Sequence, residues 1–180
     1  MLNSNEDSIR NNVVLVDNSG KFIGIKDKLQ AHIDGDLHSA FSVFVFNKKS
    51  ELLLQRRASN KYHSGGLWSN TCCSHPFPNE NTTTAGKRRL QEEMGFQCEI
   101  AEIHTKIYNV PCSNGLIENE YNKVFIGRFD GTPEINDEEV ADWRWISVNQ
   151  LLNDMKTSRD EYTSWFPVLL EDVIAAWNNA

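Results

Sequence analysis

The sequence predicts one mixed α/β domain, on three observations. Short apolar runs closed by turn residues recur along it. A few segments of helical periodicity interrupt them. The chain has 180 residues, 39% of them hydrophobic, which suits a single substantial core. The domain is expected over residues 13–180, after a polar, frayed tail over residues 1–12.

Val13-Val14-Leu15-Val16, closed by Asp17-Asn18-Ser19-Gly20, predicts a strand and a turn, with Phe22 to Ile25 returning as the hairpin partner. Phe41 to Phe46 and Leu52 to Gln55 flank Asn47-Lys48-Lys49-Ser50 and predict a second hairpin. Ser64-Gly65-Gly66 reads as a flexible loop. A helix begins near Asn81 to Thr84, any of which can cap it, and ends at Gly95. Ile100 to Val110 and Tyr121 to Phe129 predict two long strands around Pro111 to Gly115. Trp143 and Trp145 alternate with polar neighbours on another strand, and Ser147 caps a short helix through Met155. Ser164 is expected to cap a last helix with Phe166, Leu169, Leu170, Val173, Ile174 and Trp177 as its apolar stripe. Pro167 falls in its first turn, where a missing N–H is tolerated.

The formal net charge of -7 argues against non-specific nucleic-acid binding. There is no apolar run long enough to span a membrane and no secretory h-region near the start. Cys72, Cys73, Cys98 and Cys112 are too few and too irregular for a disulfide framework, and read as free thiols of a cytoplasmic protein.

Three stretches carry ligand-type side chains: His32-x5-His38, Cys73-Ser74-His75 and Glu118-Asn119-Glu120. On an extended strand, residues i and i+2 share a face, which pairs Cys73 with His75 and Glu118 with Glu120. Three imidazoles and two carboxylates make one N/O site for a divalent ion, with zinc, manganese and magnesium all open. The thiol beside it has no structural task, and the combination points to metal-assisted catalysis. Taken alone, Cys73 reads most often as a small core residue, a fourth zinc ligand being the further alternative. His63 and His104 lack such partners and read as ordinary.

Glu80, Arg88, Leu90, Glu92, Glu93 and Gly95 resemble the Nudix box, G-x5-E-x7-R-E-U-x-E-E-x-G-U with U aliphatic. Ser74 stands for its first Gly and Arg89 for a Glu. The competing reading is a solvated helix with Arg88–Glu92 and Arg89–Glu93 pairs. An Arg in place of a Glu removes a magnesium ligand and adds a phosphate partner, which argues against a standard Nudix hydrolase of a nucleoside diphosphate, the alternative function. Trp68 to Pro76, Gly115 to Glu120, Ala31 to Ser42 and Gln55-Arg56-Arg57-Ala58 resemble, in family order, segments of type 1 isopentenyl-diphosphate isomerase. The similarity runs from about Val13 to Trp177.

That resemblance implies a Nudix-type α/β/α sandwich with a mixed sheet, and isomerisation of isopentenyl diphosphate to dimethylallyl diphosphate. It implies His32, His38, His75, Glu118 and Glu120 as ligands of one divalent metal (Mn, Zn or Mg). Glu93 would hold the Mg that comes with the substrate diphosphate. It implies Cys73 and Glu120 as the proton-transfer pair, Tyr108 as the hydrogen-bond partner of Glu120, Lys28, Arg57, Lys61 and Arg89 around the diphosphate, and Trp165 over the isoprenoid end. The expected partner is a small diphosphate, with no nucleic acid and no membrane. The chain is expected to be a monomer, a weak homodimer being the alternative.

Overall fold

The computed structural model describes residues 11–179. The expected tail lies outside the described residues over 1–10, and Asn12 already belongs to the first strand. Strands β1 (Asn12–Val16) and β2 (Phe22–Asp27) form the expected antiparallel hairpin. Helix α1 (Lys28–Asp34) follows, an element the apolar pattern did not reveal. Its signals are at its ends: the Asp27 carboxylate accepts from Gln30 N, and Gly35 closes it in the left-handed region.

Strands β3 (His38–Phe46) and β4 (Glu51–Arg57) flank the Asn47–Ser50 turn, but the hairpin is short, pairing only through Phe46 and Leu52. The strands diverge because each has a better partner. The short strands β5 (Trp68–Ser69) and β6 (Cys72–Ser74) lie beyond the turn, and β6 takes the β3 edge at Phe41–Val43. Helix α2 (Thr82–Met94) is capped by the Asn81 side chain, which accepts from the backbone N–H groups of Thr83 and Thr84. It ends at Gly95, whose φ is +72° and where a Cβ would strike the Glu134 carbonyl. Only glycine fits that stop.

Strands β7 (Ile100–Pro111) and β8 (Ile117–Arg128) pair along their length around a 3₁₀ turn at Ser113–Gly115. β8 begins four residues before Tyr121, the expected start, because Ile117–Glu120 continue the ladder against Tyr108–Pro111. The carboxylates there face a polar cavity rather than an apolar core, so their composition disguised the strand. β8 also runs parallel to β3, from His38 opposite Glu120 to Phe46 opposite Arg128. Strand β9 (Val140–Ser147) covers the other edge of β4. Helices α3 (Val148–Thr157), capped by Ser147, and α4 (Phe166–Asn178) complete the chain.

Side-chain alternation divides the interior into two layers. Phe41, Val43 and Val45 of β3 pack with Ala85, Leu90 and Met94 of α2. Phe44 and Phe46 point the other way, to Leu151 of α3 and to Phe166, Leu169 and Val173 of α4. The result is the expected helix–sheet–helix sandwich on a mixed sheet. Ser164 does not cap α4: its carbonyl accepts from Arg159 and its hydroxyl faces Cys112 Sγ at 3.5 Å. The helix is held instead by its apolar stripe and by Pro167 in the first turn.

Candidate active site

The central β3–β8 pairing places His38 opposite Glu120, and the β7–β8 pairing places Tyr108 opposite the same carboxylate. Paired residues share a face, and Glu118, Glu120 and Asn122 share it by period two. The fully buried Cys72 packs in the α2 layer, whereas Cys73 packs on the α4 side, the side of Tyr108 and Val124. The i,i+2 register expected of Cys73 is the one the strand adopts.

His32, His38, His75 and Glu118 each offer one ligand atom within 4.8 Å of the others. Trans ligands of an octahedral ion stand about 4.2 Å apart, twice a bond of about 2.1 Å, so one ion fits. Glu120 adjoins the group, its Oε1 3.3 Å from His75 Nε2 and 3.9 Å from His38 Nε2. His32 Nδ1 donates to the Lys28 carbonyl (2.6 Å) and His38 Nδ1 to the Asp36 carbonyl (2.8 Å), which turns each Nε2 lone pair inward. Nε2 of His38 and of His75 is buried and makes no hydrogen bond among the described residues. Such orphaned nitrogens are costly unless a metal takes them. Burial holds the His75 imidazole well below its usual range, hence neutral and ready to ligate.

Cys73, Glu120 and Tyr108 line one cavity with Glu118, His75 and Trp165. Tyr108 donates its hydroxyl to Glu120 Oε2, and Asn122 Nδ2 donates to the same oxygen at 2.7 Å. Burial and the charge of Glu118 lift Glu120 well above the usual carboxylate range. Burial pushes the Cys73 thiol up to about 12, with the Arg57 charge opposing it. The cavity therefore brings together a thiol that keeps its proton and a carboxylate of raised proton affinity, a pair suited to moving protons at carbon.

The other wall is cationic: Lys28, Arg57, Lys61 and Arg89 line it, with Glu93 and Gln55 among them. Gln55 Nε2 donates to Glu93 at 2.8 Å, and Arg89 pairs with Glu92, Glu93 and Glu139. Both Arg–Glu pairs of the solvated-helix reading exist, and Arg88 also grips Glu80 through two bonds of 2.8 Å. Trp165 is 2% exposed, with the Arg57 guanidinium 5.3 Å from its ring and His63 edge-on at 5.6 Å. Each site residue that the resemblance implied lies in this one region: all but two line the cavity, and the fully buried His32 and His38 adjoin it through His75 and Glu118, whereas Glu80, Arg88 and Glu92 of the helix motif do not line it.

The NUDIX domain family matches residues 36–166. Solved structures agree on the fold: a Deinococcus radiodurans protein superposes with a TM-score of 0.67 at 16% identity over 82% of this chain and 90% of that one. A NUDIX hydrolase from Nitrosomonas europaea gives 0.57 at 20% identity over 77% and 88%. The sequence relatives are more specific. Isopentenyl-diphosphate Delta-isomerase 2 of Aromatoleum aromaticum is 47% identical over 91% of this chain and 86% of its own. Isopentenyl-diphosphate Delta-isomerase of Burkholderia multivorans is 50% identical over 88% and 90%.

The chain belongs to the isopentenyl-diphosphate Delta-isomerase family.

Within this isomerase, several neighbours of the site escaped the sequence reading, Tyr62 in the cavity wall among them. His63, read as ordinary, stands 3.0 Å from Glu118 Oε1, and no spacing signal ties a loop histidine to that strand. Asn122 had a signal: it extends Glu118-x-Glu120 by one more step of two. Gln55 shares the face of Arg57 for the same reason. His104 is half-buried beside Asp172, its Nε2 3.4 Å from the carboxylate, and does not line the cavity.

Proposed function

We propose that the chain interconverts isopentenyl diphosphate and dimethylallyl diphosphate, with Cys73 and Glu120 moving the protons. The observation that carries the reading is that the Cys73 thiol and a Tyr108-bonded carboxylate line one cavity whose other wall is cationic. One of the pair protonates the terminal alkene carbon, leaving a tertiary carbocation, and the other removes a proton from the neighbouring methylene. Which one gives depends on direction. Tyr108 and Asn122 aim the carboxylate, and Trp165, almost wholly buried, lines the cavity where the isoprenoid end would sit. Lys28, Arg57, Lys61 and Arg89 hold the diphosphate, and Glu93 holds the magnesium that accompanies it, so remote binding energy positions the small reactive end. His32, His38, His75, Glu118 and Glu120 would hold a divalent ion, whose fixed positive charge would orient both carboxylates and tune the proton affinity of Glu120. Zinc, manganese and magnesium all suit that donor set.

Arg89, which pairs with Glu92 and Glu93, stands where the helix motif carries a further Glu, which disfavours nucleotide hydrolysis because the helix is one carboxylate short of a hydrolase's magnesium cluster. No described helix is long and apolar enough to cross a membrane. The reading places a one-domain monomer over residues 13–180 in the cytoplasm, serving isoprenoid synthesis without nucleic-acid partners. Incubation with isopentenyl diphosphate and magnesium tests it: the allylic isomer forms, and phosphate release from nucleoside diphosphates stays at background. The opposite pattern would establish a hydrolase.

Three expectations follow from the geometry. His75→Ala lowers metal affinity by about 100-fold and activity with it, since a direct ligand costs at least what an outer partner does. Metal content after dialysis, measured beside kcat, checks this. The pH–rate profile of the wild type shows no loss from thiol ionisation up to about pH 9, where a free thiol at about 8.5 would already have titrated. The sign follows from burial: a raised thiol pKa keeps the proton in place until the pH approaches the folded value.

Trp165→Phe keeps partial activity, whereas Trp165→Leu loses about 30-fold in kcat, the equivalent of ~2 kcal/mol of cation–π stabilisation. Trp165 packs among Tyr162, Phe166 and Leu169, so Trp165→Leu also costs about 2–3 kcal/mol of stability, more than a ring standing free in the cavity would. Equal kcat losses for Phe and Leu would remove the cation–π role.

A further inference from the structure

His63 and Cys112 have no task in the reaction above. We propose that His63, Cys112 and Glu118 form a second divalent-metal site, selective for zinc, which shares Glu118 with the first. Their ligand atoms lie within 4.8 Å of one another. His63 is 2% exposed, and its buried Nε2 completes no hydrogen bond among the described residues, although Glu118 Oε1 stands 3.0 Å away. A buried nitrogen so placed beside a carboxylate and a thiol is disposed as a ligand rather than as a donor.

Glu118 is built to bridge. Its Oε2 faces His32 at 3.1 Å and His38 at 3.9 Å, while its Oε1 faces His63. A carboxylate that turns one oxygen to each of two ligand sets is the usual shared member of a two-metal site. The imidazole is held in position: Nδ1 contacts Ser64 Oγ at 3.2 Å, Arg57 donates to the His63 carbonyl at 3.3 Å, and Trp165 packs on the ring. Cys112 opens onto a surface cleft lined by Ser64, Ser113 and Ser164, which provides an entry path and room for a water as fourth ligand.

The two donor sets differ in softness. The first has only nitrogen and oxygen, and accepts magnesium or manganese as well as zinc. The second adds a thiolate, formed when Cys112 releases its proton to solvent on binding, and discriminates against magnesium. The proposal depends on the reading above only for Glu118 being a ligand of the first ion.

The test uses metal-free full-length protein titrated with zinc and, separately, with cobalt(II). Wild type is expected to hold two zinc ions per chain, and Cys112→Ser and His63→Ala one each. Cobalt gives a thiolate charge-transfer band in wild type and in Cys73→Ala, but not in Cys112→Ser. Circular dichroism verifies each fold, with Cys112→Ala replacing Cys112→Ser if the latter does not fold. Equal zinc content in wild type and Cys112→Ser, or a band that persists in Cys112→Ser, overturns the proposal. His75→Ala separates the two readings: it keeps the band and loses one ion. If it loses no ion, the first site is misassigned while the second stands.

Discussion

Cys73→Ala is expected to lower isomerisation by about 10³-fold with the fold intact, the cost of removing a proton-transfer group from chemistry that water cannot reach. Its neighbour supplies the control. Cys72 is fully buried among Leu90, Met94 and Phe125 on the opposite layer, so Cys72→Ala should cost about 1–2 kcal/mol of stability and leave kcat within a few-fold. One substitution removes activity without stability, and the adjacent one does the reverse. Measuring kcat and the denaturant midpoint for both variants decides the matter. The opposite ranking would show that the strand register assigned to the catalytic thiol is off by one.

Glu120→Gln should produce a loss of similar size, about 10³-fold, because an amide keeps the shape but cannot carry the proton. Its effect on stability has the opposite sign. Burial, with Glu118 nearby, raises the Glu120 pKa in the folded state. Stability from such a group is complete below its unfolded pKa and is lost as pH rises through the folded value. In metal-free protein, burying a carboxyl that is ionised in the unfolded chain is therefore a cost near neutral pH, whether it is met by taking up a proton or by burying the charge, and Glu120→Gln should raise the melting temperature while removing activity. Thermal scans of metal-free wild type and variant at neutral and acidic pH should show the advantage shrinking in acid. A variant destabilised at neutral pH would mean that the bonds from Tyr108 and Asn122 outweigh the burial of charge.

Much of this site was legible because strand period two converts C-x-H and E-x-E into shared faces without knowledge of the fold. The helix over Thr82–Met94 was legible from its ends, where an Asn cap and a Gly stop frame it. What escaped was what only topology brings together. His63 approaches Glu118 because a loop after β4 folds across the end of β8, and nothing local to either residue announces it. Strand β8 was read too short because its first residues are selected for the cavity rather than for a core. The hairpin after β3 was read too long for the complementary reason: β6 and β9 compete for its edges, and those partners come later in the chain.

The central claim is that protons reach and leave carbon through Cys73 and Glu120 and exchange with solvent between turnovers. The most direct measurement is turnover of isopentenyl diphosphate with magnesium in heavy water, followed by mass spectrometry of the two isomers at partial conversion. Deuterium should enter the new methyl group of dimethylallyl diphosphate and, through the reverse reaction, the recovered isopentenyl diphosphate, and Cys73→Ala should abolish both. Conversion that proceeds with no deuterium gained, or at an undiminished rate in Cys73→Ala, would contradict the account.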